Sequence, residues 1–305
     1  MAKITQNNLD TIAACRYCPM CRQTCPSEFI SYRESDTTRG RAILLFNIYK
    51  GGREFDPTAM EAVYNCFLCM SCRSWCEGYN VKGYDIPELI KFARRDIVEK
   101  GLAPKIIEQI KISLVENNNS FGMDSSEAFT AQQNGKETGD VLYLLGEGAN
   151  YKNKEIAEAV ISIMNKAGIN YALLKDEPES GKILDLLGYR NEAQEKAKVL
   201  EGKIKATGCK TVVISDPLTY DACMKDYPGW GLSLEGIEVM HVSQYIEKLI
   251  KSGELKVNLS IVKVTLADSE YLGRSNGVWD SPRQVIKSVA GDNYVEMQWH
   301  HDYLQ

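Results

Sequence analysis

The sequence lacks a long apolar run, an excess of basic residues and a rich supply of histidine. A helix that spans a bilayer needs about 20 mostly apolar residues, so no transmembrane segment is expected. Lys and Arg number 36 against 41 Asp and Glu, which gives a formal net charge of −5 and argues against a nucleic-acid partner. With 44% apolar and 25% charged residues in 305, the composition is that of a globular protein with one large or two ordinary domains.

Cysteine is the residue type with the most informative pattern, because eight of the ten cysteines lie in two runs of identical spacing. Thiolates separated by two residues converge on one iron–sulfur cube, and the fourth thiolate of each run reaches the other cube, as in two-cluster ferredoxins. The spacing therefore predicts two [4Fe–4S] clusters with crossed ligation. The predicted ligands are Cys15, Cys18, Cys21 and Cys76 for the first cluster, and Cys66, Cys69, Cys72 and Cys25 for the second.

Two other roles for these cysteines are weaker. Zinc sites need only paired Cys-x2-Cys units, which would leave the repeated third and fourth cysteines unexplained. A disulfide framework needs an oxidising compartment, and no signal peptide opens the chain. One departure from the ferredoxin pattern is Glu77, which follows the second run where Pro26 follows the first. Thiolate ligands imply a reducing environment, so we expect a cytoplasmic protein that works with little oxygen.

The order of predicted elements indicates an α+β protein. Helices are predicted between and after the cysteine runs, which favours an α-helical ferredoxin domain at residues 1–116. Residues 117–139 are polar and predict a linker. Apolar runs then alternate with helical patterns, which predicts an α/β domain with a parallel sheet at residues 140–305. Its predicted elements are strands at Val141–Leu145, Tyr171–Leu174, Thr211–Ile214, Ile261–Leu266 and Tyr294–Met297, and helices at Asn153–Ala167, Glu192–Ala206, His241–Lys251 and Pro282–Val289.

The chain resembles the iron–sulfur subunits related to heterodisulfide reductase, a group that includes similar subunits of glycolate, lactate and glycerol-3-phosphate oxidising systems. The resemblance covers nearly the full length. At the N-terminal end it lies in the two cysteine runs and in Arg39-Gly40-Arg41. Further along, it lies in Asn153–Gly168, Gly188-Tyr189-Arg190, Lys210–Val213 with Tyr220, Tyr271–Arg274 and Asp280–Arg283.

The resemblance implies that a third, catalytic iron–sulfur cluster has been lost. The family holds this cluster with cysteine motifs in the C-terminal domain, two of which end in Cys-Cys-Gly. Here the matching positions hold Glu147, Glu179-Ser180-Gly181, Asp216–Tyr220 and Ala267–Glu270, and the sequence ends at Gln305 near the place of the second Cys-Cys-Gly. Such side chains cannot replace thiolates around an iron–sulfur cluster.

Several side chains outside the cysteine runs have alternative interpretations. Glu147, Glu179, Asp216 and Glu270 could gather into a site for magnesium, calcium or iron, or line a solvated cleft left by the lost cluster. Cys209 and Cys223 are expected to be buried and inert. His241, His300 and His301 have no ligand spacing, and Gly146-x-Gly148 is too short for a nucleotide motif. Arg16, Arg22 and Arg73 lie inside the cysteine runs, where they would raise cluster potential, dock an acidic partner or simply be solvated.

The resemblance, with eight cysteines kept and the catalytic set lost, implies an electron-transfer subunit of a multi-subunit anaerobic oxidoreductase. We expect it to relay single electrons between a catalytic partner, such as a flavoprotein, and a second carrier. We expect no catalytic residue in this chain, and contact with a membrane only through a partner. Two other functions stay open: catalysis of disulfide reduction or hydroxy-acid oxidation, which would need a third cluster or a flavin, and a structural role in assembly.

Overall fold

A computed structural model describes residues 5–132 and 138–298. The chain divides into two compact units. The first unit contains residues 5–109 and the short segment Leu184–Arg190, and the second contains residues 110–183 and 191–298. The domain boundaries expected from the sequence stay a prediction. In the segment expected to be a linker, Asn119 is fully buried and its side-chain amide donates to the carbonyl oxygens of Asn117 and Met123.

The first unit is built from helices. Local signals explain where they start: Asp56 accepts a hydrogen bond from the Ala59 N–H at 2.8 Å, and Pro57 occupies the first turn of the helix that Asp56 caps. Thr37 caps the preceding helix through the Gly40 N–H at 2.8 Å. The helices are α1 (Gln6–Ala14), α2 (Pro26–Ser31), α3 (Thr38–Tyr49), α4 (Pro57–Tyr64), α5 (Ser71–Ser74), α6 (Glu77–Lys82) and α7 (Ile86–Glu99), and α8 (Lys105–Asn117) follows them.

The apolar core of this unit lies among α1, α3, α4 and α7. Ile12, Leu45, Val63, Leu89 and Ile90 are almost completely removed from solvent there. Cys15 and Cys66, the first cysteine of each run, pack against this core. The long segment between the runs is therefore helical, as the sequence predicts.

The second unit contains a four-stranded parallel sheet in the order β2-β1-β3-β4. Its strands are β1 (Val141–Leu144), β2 (Tyr171–Leu173), β3 (Thr211–Ile214) and β4 (Glu238–His241). The helices that follow along the chain are α9 (Phe129–Gln132), α10 (Lys154–Lys166), α11 (Lys182–Leu187), α12 (Arg190–Ala206), α13 (Pro217–Asp221), α14 (Tyr227–Gly229), α15 (Val242–Ser252) and α16 (Asp280–Ala290). The predicted combination of helices with a parallel sheet is confirmed.

Helices cover both faces of this sheet. On one face, Leu200 and Ile204 of α12 pack with Leu142 and Val212 of the sheet. On the other face, α10 and α15 pack against Tyr143 and Val213. Burial on both faces explains why β1 and β3 are continuous apolar runs rather than alternating ones.

The later part of the chain contains one strand that was not predicted and lacks two that were expected. β4 was not predicted, because its sequence Glu238–His241 is short, partly exposed and directly continuous with α15. Ile261–Leu266 and Tyr294–Met297 were expected to be strands, but they share a single bridge between Val264 and Tyr294. Ile261 is 93% exposed, so this stretch has no core to pack against. His300, His301 and Gln305 lie outside the described residues.

Candidate functional site

All four predicted ligands of the first cluster line one cavity in the first unit. The cavity has a volume of about 110 Å³, and Cys15, Cys18, Cys21 and Cys76 all border it. Cys72, a predicted ligand of the second cluster, borders it as well. Cys15 comes directly after α1, and Cys76 directly precedes α6. The structure thus brings the fourth cysteine of the second run to the first three cysteines of the first run, which is the arrangement that crossed ligation requires.

The two cysteine loops have the same backbone turn at the same place. Tyr17 and Leu68, each two residues after the first cysteine of its run, have left-handed φ angles of 54° and 52°. This conformation is uncommon for residues other than glycine and is found where surrounding structure enforces it, often at functional sites. It directs the N–H of each residue to the first sulfur: Leu68 donates to Cys66 Sγ at 3.4 Å, and Tyr17 donates to Cys15. Hydrogen bonds to sulfur of this kind tune iron–sulfur centres.

Burial and neighbouring thiols raise the pKa of two cysteines at the cavity, Cys21 and Cys15. Burial raises the pKa of Cys21 to about 12, with further contributions from Cys15, Cys76 and Cys18. Burial also raises the pKa of Cys15, and Cys76 and Cys18 add to it. Thiolates crowded in this way are stabilised by a cationic metal group, since metal binding and thiol deprotonation are coupled.

Cys66, Cys69 and Cys72 of the second set of predicted ligands lie near one another, and Cys72 also borders the cavity of the first set. Burial raises the pKa of Cys72 well above its usual value, and the nearby thiols of Cys66 and Cys69 raise it further. The Thr38 hydroxyl hydrogen-bonds to both Cys72 and Cys25, so it bridges the two cysteine runs.

Cys25 is buried and has a different environment from the other cysteines. Its sulfur lies 3.1 Å from the Ser27 hydroxyl and 3.7 Å from Arg41 Nη1. Burial raises the pKa of Cys25, but hydrogen bonds from Ser27, Thr38 and the Glu28 backbone, together with the Arg41 charge, lower the pKa overall. The sulfur of Cys25 therefore lies beside a buried cation.

Glycine in the Arg39-Gly40-Arg41 motif is required by close packing. A Cβ at residue 40 would lie 1.9 Å from the Glu34 carbonyl oxygen. The absence of this atom lets the turn Glu34–Asp36 lie directly on α3. Asp36 in that turn is fully buried and its carbonyl oxygen accepts hydrogen bonds from Ser27 and Arg41.

The arginines in the cysteine runs are mostly paired. Arg73 lines the cavity and forms an ion pair with Asp85 at 2.6 Å. Arg22 pairs with Glu28 and Glu34. Arg16 lines the cavity from an exposed position.

The donor types around the cavity suit an iron–sulfur group. Thiolates are soft ligands and are the ones that hold [4Fe–4S] clusters, four to each cluster. The cavity is larger than the space that a single water occupies, so it has room for a multi-atom group. Within residues 5–132 and 138–298, no three Cys, His, Asp or Glu side chains are arranged around a single metal ion. The ligand assignment stays a prediction.

The second unit has a much smaller pocket beyond the ends of β1 and β3. Its volume is about 10 Å³, the size of one water, and Glu147, Glu177, Glu179 and Asp216 line it. Gly146 is needed there, because a Cβ would lie 2.1 Å from the Asp216 Cβ. This close approach, rather than nucleotide binding, accounts for the glycine.

The acidic side chains of this pocket are held by donors of the protein itself. Glu177 accepts from the N–H groups of Leu145 and Gly146 at 2.9 and 2.7 Å. Glu179 accepts from Gly181 and Ile183. Glu147 accepts from the N–H and hydroxyl of Ser120, and Asp216 caps α13.

This acidic pocket agrees only in part with the sequence-based hypothesis of a hard-metal site. Glu147, Glu179 and Asp216 come together as expected, but Glu270 does not line the pocket. Glu177 was missed, although its position two residues before Glu179 could have suggested that both face one space. Burial raises the pKa of both Glu177 and Glu179 to about 7, which favours proton binding over a permanent charge.

Lys182 supplies a buried positive charge in the second unit. It lies directly after Glu179-Ser180-Gly181, and its ammonium contacts Asp221 at 2.5 Å and Asp226 at 2.6 Å. All three side chains are largely buried. A buried salt-bridge network therefore follows directly after Glu179-Ser180-Gly181.

The remaining candidates have structural roles. Cys209 and Cys223 are buried, the Cys209 thiol donates to the Gly139 carbonyl, and burial raises the pKa of Cys223 to about 12. His241 caps α15, and burial lowers its pKa to about 4. None of these three residues borders the cavity or the acidic pocket.

Comparison with known proteins gives three informative relatives. A probable iron–sulfur-binding oxidoreductase of Bacillus subtilis, FadF, is 27% identical over 261 residues, which is 80% of this chain and 36% of FadF. A subunit of the dihydromethanophenazine:CoB–CoM heterodisulfide reductase from Methanosarcina acetivorans is 27% identical over an alignment of 318 positions. The alignment covers 96% of this chain and 77% of that protein. An EtfAB:quinone oxidoreductase of Syntrophomonas wolfei is 27% identical over 260 residues, 80% of this chain and 35% of that protein.

The chain is thus related over most of its length to this heterodisulfide reductase subunit and to iron–sulfur-binding oxidoreductases. It spans about a third of the length of FadF and of the quinone oxidoreductase. No family model matches the chain. No solved structure matches it either. In the part of the chain that the structure describes, no helix is both long and apolar enough to cross a bilayer.

Proposed function

Since the chain is related to a heterodisulfide reductase subunit and to iron–sulfur-binding oxidoreductases, we propose that it is an electron-transfer iron–sulfur subunit. It binds two [4Fe–4S] clusters, one through Cys15, Cys18, Cys21 and Cys76 and one through Cys66, Cys69, Cys72 and Cys25. It relays single electrons between a catalytic oxidoreductase partner, flavin-containing or not, and a second carrier. The observation that carries this proposal is the cavity of the first unit, where Cys72 and Cys76 of the second cysteine run meet Cys15, Cys18 and Cys21 of the first.

The clusters supply one-electron chemistry when bound, and the chain holds and tunes them. The first turn of α3 is central to this task. Thr38 and Arg39 line the first cavity, while the Thr38 hydroxyl bonds to Cys25 and Cys72 of the second set. The helix dipole adds a partial positive charge at this end of α3, which favours the negative charge of thiolate-bound clusters.

The second unit, in this proposal, binds the partner and has no redox centre of its own. Its acidic pocket has room for one water, and its carboxylates are already held by backbone N–H groups. Cys209 and Cys223 are buried and do not line that pocket. Catalysis of disulfide reduction or of hydroxy-acid oxidation by this chain alone would need a group that this pocket does not accommodate.

Anaerobic reductive titration tests the proposal. The protein should take up two electrons per chain, one for each [4Fe–4S] cluster, with the loss of visible absorbance that accompanies cluster reduction. Cys76→Ser should take up only one. Clusters that are present but accept no electrons would favour an assembly role, and zinc in place of iron would reject the proposal.

A further inference from the structure

Arg41 carries a buried charge that no carboxylate matches in the described residues. The side chain is completely buried, and Arg41 Nε donates to the Ala62 carbonyl at 2.6 Å. Nη1 donates to the Asp36 carbonyl at 2.6 Å and to the Ser27 hydroxyl at 3.1 Å. Within the described part of the chain, Nη2 has no hydrogen-bond partner. A buried guanidinium is costly unless an opposite charge accompanies it.

The carboxylate of the neighbouring Asp36 pairs with other side chains. Asp36 contacts Arg41 through its backbone oxygen, whereas its carboxylate pairs with Arg33 at 2.9 Å and accepts from Asn65. The group near Arg41 that can carry negative charge is the sulfur of Cys25, 3.7 Å from Nη1. A thiolate at Cys25, and the anionic cluster that it would hold, supplies the missing counter-charge.

The cations around the first cavity are arranged differently. Arg39 pairs with Glu34 at 2.7 Å, and Arg73 pairs with Asp85 at 2.6 Å, so a carboxylate offsets each charge. Arg16 is exposed. The interaction of a charge with its neighbours is about fourfold weaker in bulk water than in a partly buried protein site, so the contribution of Arg16 is small.

We propose that Arg41, acting through Cys25, raises the reduction potential of the second cluster above that of the first. This inference rests on the proposed function and adds an order to it. Reduction adds one electron, delivered by the redox partner, and it makes the cluster more negative without forming a bond or moving a proton. A fixed positive charge beside one ligand stabilises that added charge. At equilibrium, the first electron that enters the subunit would therefore reside on the cluster held by Cys25, Cys66, Cys69 and Cys72.

Redox titration followed by electron paramagnetic resonance tests this order. Arg41→Gln should lower the reduction equilibrium constant of the second cluster at least tenfold, which is about 59 mV for one electron. The first cluster should move by less than half as much, and Arg41→Lys, which keeps the charge, should retain most of the potential. Arg53→Gln is the matched control, because it removes the same charge from a side chain that is 42% exposed and paired with Asp56. Equal potentials in Arg41→Gln and the unaltered protein would overturn the inference.

A second measurement decides the matter if Arg41→Gln does not assemble the second cluster. Cys25→Ser and Cys76→Ser each alter or remove one cluster, so each identifies one signal in the titration. Cys25→Ser should affect the higher-potential signal and leave the lower one, and Cys76→Ser should do the reverse. The opposite assignment contradicts the inference while the proposed function stands, whereas fewer than two reducible clusters in the unaltered protein contradicts the function itself.

Discussion

Cys15 and Cys76 line the same cavity, although Cys15 begins the first cysteine run and Cys76 ends the second. Burial and the nearness of Cys76 both raise the pKa of Cys15. The pairing means that a cluster in this cavity would tie the end of α1 to the start of α6. Loss of one thiolate should then weaken the fold of the first unit as well as its redox chemistry, since metal binding contributes to folding.

We predict that Cys76→Ser reduces the iron content from about eight to about four per chain, because one [4Fe–4S] cluster loses its fourth thiolate. Cys25→Ser should cause a similar loss through the other cluster. The measurement is iron and sulfide analysis of anaerobically purified protein. Cys223→Ala is the control, since that buried thiol lies outside both sets and its removal should leave the iron content unchanged.

Gly40→Ala should destabilise the first unit. The added Cβ would meet the Glu34 carbonyl at 1.9 Å, so the turn must move away from α3, at a cost of roughly 1–3 kcal/mol. Thermal unfolding of the loaded protein measures this cost. Gly52→Ala in the same unit is the control, because its Cβ would make an ordinary contact at 3.4 Å. Equal melting temperatures for both variants would contradict the role given to Gly40.

Asp185→Asn should be strongly destabilising. Asp185 is fully buried and forms ion pairs with Lys91 at 3.2 Å, Arg95 at 3.0 Å and Arg190 at 3.3 Å. Removal of its charge leaves three cations without their common partner, and breaking a buried pair costs about 3–5 kcal/mol. Denaturant unfolding tests this. Glu61→Gln, which removes an exposed partner of Arg33, should cost less than about 1 kcal/mol.

The acidic pocket predicts a pH dependence of stability in the second unit. Burial raises the pKa of Glu179 to about 7 in the folded state, above its usual value of 4.5. A raised carboxyl pKa means that the folded state binds the proton more tightly, so stability is greatest below pH 4.5 and falls as pH rises through 7. The expected loss for one such group is about 3 kcal/mol.

The free energy of unfolding of Glu179→Gln, measured between pH 5 and 8, tests the predicted direction of this pH dependence. The variant should lose less stability than the unaltered protein as pH rises, because glutamine cannot ionise. Glu158→Gln, at an exposed position on α10, should keep the original pH dependence. A stability that rises from pH 5 to 8 in the unaltered protein, and rises equally in Glu179→Gln, would mean that Glu179 is already ionised at low pH.

Much of the fold follows from local sequence signals. Asp56 and the prolines Pro57, Pro87 and Pro104 predict α4, α7 and α8, and fully apolar runs predict β1, β2 and β3. β4 could not be predicted in the same way, because its pairing with β3 rather than its own pattern makes it a strand. The apolar residues at Ile261–Leu266 suggested a strand, but a pattern does not supply the neighbouring strand that a sheet requires.

The candidate site was predictable only in its ligands. Repeated spacing identifies the eight cysteines, because the ligands of such clusters recur at short, fixed intervals along the chain. Thr38 and Arg41 were not predicted to act on them, since their contacts with Cys25 and Cys72 depend on how α3 packs in three dimensions. Glu177 was missed for a similar reason, because it reaches the pocket through the N–H groups of Leu145 and Gly146 at the end of β1.

Metal and sulfide analysis of the anaerobically purified, unaltered protein tests the central claim most directly. Two [4Fe–4S] clusters predict about eight iron and eight sulfide per chain, with zinc absent. About four of each, or twelve and more, would contradict the account, because the first would leave one set of cysteines without a cluster and the second would require a further centre in the second unit.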